Sequence, residues 1–379
     1  MINRNKLLAV LLTLLLTIIL LTPATSFARN LKSGAVYVLT NQVSNAIAVF
    51  TRDPNGSLTP AGMFSTGGAG DPVAQPGDPP TDPLASQGSL ILGDRDLLFA
   101  VNAGSHEISV LRIGREELTL VHKVSSGGVR PISLTVHNDL LYVLNEGGTP
   151  NITGFTVGDD GSLTPLAGST RALAGGSLAD PAQVGFNPDG SLLVVTEKLG
   201  NRLDIYLVGP NGIPSASNPD LSSGLTPFGF AFRNDGVLVV SEAFGGALNE
   251  GKASSYSLAA DGTLSVISRS VPDSQTAACR VVITDSGELV FVSNTGSSSI
   301  SSYRLDVLGT LSLINSVAGN TGAGSTPIDM ALNHNNRFLY VTDNGLQVVN
   351  SFALGANGTL TKIDTDGGLP FGVQGIAAR

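Results

Sequence analysis

Seven polar residues recur along this chain in one local setting. Asn41, Asn102, Asn145, Glu197, Glu242, Asn294 and Asp343 each close a short apolar run, 43 to 61 residues apart. The runs read VYVLTN, LLFAVN, LLYVLN, LLVVTE, VLVVSE, LVFVSN and FLYVTD. A second set, Arg130, Gln183, Arg280, Asp329 and Gln374, falls at or beside the start of another short strand in several repeats. Glu146, Lys198 and Arg202 follow closely behind the apolar runs. Acids, amides and guanidinium groups converging on one cavity would hold a small polar ligand, and arginine can grip a carboxylate bidentately. Taken singly, each such residue also suits a strand-end cap. What they do depends on the elements that bring them together.

Those elements repeat roughly every 50 residues, the length of a four-stranded propeller blade. Tight turns fall before the apolar run at Asp189-Gly190, Asp235-Gly236 and Ser286-Gly287. They fall again after the following strand at Asn55-Gly56, Asp160-Gly161, Asn211-Gly212, Asp261-Gly262 and Asn357-Gly358. Asn-Gly and Asp-Gly supply the positive φ of a hairpin turn. Calcium binding is the other reading of these turns, but they lack the dense acidic spacing of a calcium loop. Two hairpins per repeat make a meander of strands A to D, and seven repeats predict an all-β, seven-bladed β-propeller. The first unit begins at its strand B. The segment 372–378 resembles a strand A, so the C-terminal strand is expected to complete the first blade and close the ring. The chain after residue 28 is thus one domain, 29–379.

Propeller geometry places the D-to-A and B-to-C connections on one face, together with the residues named above. The long connections 65–86, 167–180, 212–226, 243–253 and 316–326 belong to that face, and long ordered loops on a rigid scaffold commonly carry function.

Composition narrows the function. Charged residues are 13% of 379, about half the usual share, and the net charge of −9 argues against a nucleic-acid partner. Apolar residues at 42% are enough for a large core. Residues 1–28 read as an export signal: Arg4 and Lys6, an apolar run at 7–21, then Ser26-Phe27-Ala28. The run is shorter than the ~20 residues that span a bilayer. A secreted or periplasmic, soluble monomer is therefore expected, without membrane attachment after cleavage. Cys279 is the single cysteine, so the fold closes without an internal disulfide. G-x-S-x-G and H-E-x-x-H motifs are absent. His106, His122, His137 and His334 are scattered through different repeats.

The units at 181–206 (PAQVGFNPDGSLLVVTEKLGNRLDIY) and 226–243 (TPFGFAFRNDGVLVVSEA) resemble blades of the lactonase family of seven-bladed propellers. That family includes propeller-type 6-phosphogluconolactonases and fungal 3-carboxy-cis,cis-muconate lactonizing enzymes. Pro181, Asn187-Pro188-Asp189-Gly190, Glu197, Arg202 and Glu242 carry the match. Relatives usually have a His just after the Pro of a central strand A, where this chain has Ala182 and Gln183. The resemblance implies hydrolysis or formation of a small-molecule lactone without cofactor or metal. Glu197 or Glu242 would activate water, and Arg202, Arg280 or an Asn amide would stabilise the oxyanion. The remaining ring residues, Asn41, Asn102, Arg130, Asn145, Glu146, Gln183, Asn294, Asp329, Asp343 and Gln374, would bind the ligand. Two alternatives stand beside this reading: a non-catalytic binding or scaffold propeller, and a hydrolase using a cation held by Glu197, Glu242, Asn294 and Asp343. An export signal also argues against a phosphorylated sugar lactone, which is a cytosolic metabolite.

Overall fold

The computed structural model describes residues 34–379; the expected export signal lies outside them. Seven antiparallel sheets stand around a central channel as the blades of a propeller, with almost no helix. The innermost strands, in blade order, are Gln374–Ala378, Leu90–Leu92, Val129–His137, Pro181–Phe186, Pro227–Phe232, Ala278–Ile283 and Pro327–Leu332. Gln374–Ala378 pairs antiparallel with Ala35–Leu39, so one blade joins both ends of the described chain and the ring is closed.

The seven apolar runs form the second strands. They are buried along nearly their whole length, as in Leu97–Asn102 and Leu192–Glu197, because a neighbouring blade covers each face. Outer strands such as Leu118–Ser125 are mostly exposed or half-buried, as solvent on one side dictates. All eight glycines of the expected tight turns have positive φ, from 72° at Gly287 to 93° at Gly56 and Gly236.

Several stretches expected as connections are partly strand, Arg171–Ala172 within 167–180 among them. Asn218–Leu221 forms a fourth strand with every residue exposed, and Leu311–Asn320 runs past the point where a loop was expected. Outermost strands bury too little to need apolar alternation, so their sequences look like loops. The third blade's outer edge is split between Leu163–Pro165 and Arg171–Ala172, both paired with Asn151–Val157.

Buried tyrosines tie blades together. Tyr142 donates to Gly212 O at 2.6 Å, and Tyr340 donates to Gly56 O at 3.0 Å, the latter linking the last blade to the first. Among the described residues no helix is long and apolar enough to cross a membrane.

Candidate functional site at the channel mouth

The longest connection, residues 66–89, leads from Leu58–Ser65 to Leu90–Leu92. Five prolines lie between residues 72 and 83, and proline lacks the N–H that a helix or sheet would need. The segment therefore stays irregular, and it folds across the mouth as a strap. Three of its residues, Asp71, Asp78 and Asp82, each precede a proline, and each meets a cation from a different blade. Asp71 Oδ2 is 2.9 Å from Arg130 Nε, Asp78 Oδ1 is 3.6 Å from Lys198 Nζ, and Asp82 Oδ2 is 2.6 Å from Arg280 Nη1. The same cations hold the strap's backbone: Arg130 donates to Pro83 O, Lys198 to Ala85 O and Arg280 to Ser86 O. Asn344 adds a bond to Thr81 O.

Beyond Ala85 the strap enters the channel. Ser86 and Gly88 bond the innermost strand of the third blade, and Gln87 N bonds Ala182 O of the fourth. The Gln87 carboxamide reaches the sixth blade, donating to Val281 O at 2.8 Å and accepting from Val281 N at 3.1 Å. Gln183 makes the same pair of bonds with Phe230. Each carboxamide thus satisfies an inner strand edge as a neighbouring peptide would. Gly229 allows the close approach at this crossing, since a Cβ there would stand 2.7 Å from the backbone Cys279 O.

The strap divides the channel. On the hairpin side lies a cavity of about 550 Å³ lined by Gln87, Gln183, His137, Phe230 and Asp329 among others. On the mouth side lies one of about 590 Å³. Its walls include Asp78, Asp82, Asp180, Lys198, Phe228 and Cys279, contributed by D-to-A and B-to-C connections and strand starts. Lys198 Nζ is 3.0 Å from Asp180 Oδ1 and 5.3 Å from the Phe228 ring centre, while the Arg280 guanidinium covers the same ring at 4.7 Å.

Burial pushes the Asp78 carboxyl above its ordinary value, Lys198 opposing it and Asp180 adding to it. Burial works against the charge on Lys198, but Asp180, Asp78 and Glu146 together hold its pKa above the usual lysine value. The cavity therefore offers a fixed ammonium group beside a carboxylate that takes up a proton more readily than a free aspartate.

The ring of strand-end residues lies elsewhere. Asn41, Asn102, Asn145, Glu197, Glu242, Asn294 and Asp343 are all fully buried. Six bond directly to the connection entering their own blade: Asn41 to Gly372 O, Asn102 to Thr66, Asn145 to Ser126 O, Glu197 to Gly175 N, Glu242 to Gly224 N and Asp343 to Thr326 N. Asn294 bonds Ser299 and Ser301 instead. None of the seven lines either cavity. Glu197 is pushed up to about 7 by burial, with Asp204 adding to the shift, and Arg202 Nε lies 3.4 Å from it. Burial likewise raises Glu242, against a hydrogen bond from Ser254.

Arg130 and Glu146 form an ion pair beneath the strap. Gln183 and Asp329 line the hairpin-side cavity, Asp329 being pushed up to about 7 by burial against the pull of Arg280. Gln374 is buried on the strand that closes the ring. Among the described residues no group of three or more His, Cys, Asp or Glu side chains is placed to hold a metal ion.

Repeat position does not point to Asp78 or Asp180. The available signal was the recurrence of Asp-Pro at 71, 78, 82 and 180 in connections on one face.

A family model described as Lactonase, 7-bladed beta-propeller matches residues 90–373, and the chain belongs to that family. No curated protein matches the chain. Among solved structures, a protein of Lactobacillus plantarum aligns at TM-score 0.72 and 18% identity, covering 91% of this chain and 99% of its own. The periplasmic gluconolactonase PpgL of Pseudomonas aeruginosa aligns at 0.69 and 17%, covering 90% and 98%. A candidate 6-phosphogluconolactonase of Bacteroides uniformis aligns at 0.68 and 18%, covering 90% and 99%. At such identities the likeness is one of fold.

Proposed function

We propose that this protein is an exported, monomeric lactonase that opens a small-molecule lactone in the mouth-side cavity. The observation that carries the reading is Lys198 Nζ set between Asp180 and Asp78 in a cavity of ligand size, on a lactonase-family fold. Asp78 takes a proton from water as the water oxygen bonds to the lactone carbonyl carbon. Lys198 faces the oxyanion that develops on the carbonyl oxygen, and Asp180 fixes the position of the ammonium group. The ring C–O bond then breaks, its oxygen takes the proton from Asp78, and a hydroxy acid is released. The test is hydrolysis of a lactone panel by purified 29–379 protein, alongside Asp78→Asn and Lys198→Met. The reading requires activity above buffer that both substitutions abolish while the circular dichroism spectrum remains that of the folded parent at the assay temperature. A non-catalytic binding role is the second reading, favoured by the commitment of Arg280 to the strap.

A further inference from the structure

We propose that the mouth-side cavity selects an uncharged lactone with an apolar body and turns away phosphorylated or carboxylated ones. The cations that would receive such an anion are already paired with carboxylates of the strap. The word lactone rests on the reading above; the charge selection does not.

Three basic groups frame the mouth, Arg130, Lys198 and Arg280, and five acids surround them: Asp71, Asp78, Asp82, Glu146 and Asp180. The Arg280 side chain has no exposed surface and lies under Asp82, Ser86 and the Phe228 ring. The Lys198 and Arg130 side chains are only 6% and 7% exposed. An incoming anion would have to displace an aspartate that the chain itself holds at the cation, and an intramolecular partner competes at high effective concentration. With acids in excess, a second negative charge also meets repulsion, made stronger by the low exposure of the site.

The walls favour the opposite kind of ligand. Ala85, Phe228, Ala243 and Cys279 are buried apolar lining, and Ala277 packs against them. The volume of about 590 Å³ leaves room for a hydrocarbon body beyond a small ring. On the loops framing the entrance, Leu199, Leu225 and Leu248 are exposed at 65%, 53% and 78%. Apolar surface at an entrance attracts apolar ligands from water. The chemistry also gives direction, because the neutral substrate becomes a carboxylate on opening, and the surrounding acids disfavour that product.

The experiment compares δ-decalactone with 6-phosphogluconolactone as substrates. It also compares binding of 6-pentyl-2-piperidone with that of the same lactam carrying a terminal carboxylate, neither of which is expected to open. We expect kcat/KM for δ-decalactone to exceed that for the phosphorylated lactone by about tenfold or more, and the neutral lactam to bind tighter by a similar factor. A phosphorylated lactone opened as well as the neutral one, or a carboxylated lactam bound as tightly, overturns the inference. So does failure of both lactams to bind. If the neutral lactam binds selectively and no lactone opens, the charge selection stands and hydrolysis falls. If lactones open with the anionic one preferred, hydrolysis stands and the selection falls.

Discussion

Arg280 Nη1 and Asp82 Oδ2 lie 2.6 Å apart at the mouth of the channel, and both side chains are withdrawn from water. Burial works against the charge on Arg280, and Asp82 more than restores it. Removing one partner of such a pair strands the other. Asp82→Asn is expected to lower the unfolding free energy by about 3 to 5 kcal/mol. Arg280→Met combined with Asp82→Leu should recover most of that loss. Urea unfolding of the three proteins measures it. A loss below about 1 kcal/mol in the single variant would mean that the pair does not anchor the strap.

Asp78 and Lys198 carry the proposed chemistry, while Glu242 holds the incoming connection of its blade. Asp78→Asn and Lys198→Met should each lower kcat/KM by about 100-fold or more. Glu242→Gln is expected to lower the melting temperature and leave kcat close to the parent value. Steady-state rates and melting curves on the same preparations separate the two effects. Activity lost in Glu242→Gln but kept in Asp78→Asn would move the chemistry to the strand ends.

Stability should decline as pH rises from about 4.5 to about 7. A glutamate in the unfolded chain releases its proton near 4.5, whereas Glu197 in the fold keeps it until about 7. Asp329 does the same from 3.8 to about 7, through burial. Across that window the folded state binds more protons, so deprotonation favours unfolding. Turn aspartates such as Asp160 and Asp189, held below their ordinary value by serine hydroxyl and backbone bonds, act in the opposite sense only at lower pH. Glu197→Gln should flatten the dependence by an amount on the order of 2 kcal/mol. Melting temperatures at about pH 5 and pH 7.5 check this, and an unchanged slope in the variant would show that Glu197 titrates normally.

Deleting 369–379 removes Gln374–Ala378 and exposes the inner edge of Ala35–Leu39, whose five residues are all buried. An unpaired apolar edge invites pairing with other chains. We expect aggregation or a large drop in melting temperature, read by light scattering and calorimetry. A monomer with the parent melting curve would contradict ring closure at this strand.

Fold and site differ in how far the sequence discloses them. The buried second strands announce themselves, because runs such as Leu289–Asn294 are covered on both faces and must be apolar throughout. Asn218–Leu221, lying exposed on an outer edge, leaves no comparable trace. For the site, repeat position indicates the face on which a residue stands but not where its side chain goes. Glu197 and Lys198 are adjacent in sequence, yet Glu197 turns to Gly175 N while Lys198 reaches Asp180 and the strap. The strap has no counterpart in the other repeats, so periodicity says nothing of its path. Its Asp-Pro steps mark the carboxylates, and only the folded ring reveals their cations.

The crossing of the channel by Ser86, Gln87 and Gly88 governs traffic through the mouth-side chamber. Gln87 bridges the fourth and sixth blades across the waist, so the mouth is the route by which a molecule reaches and leaves this chamber. Under the proposed function, lactone and hydroxy acid would occupy this chamber in turn and exclude one another. The proposed hydrolysis would then show the kinetics of a dead-end vessel: product inhibition competitive with substrate, and turnover that cannot outrun emptying. The hairpin-side chamber, opening the other way, can be filled or blocked without queuing in that line.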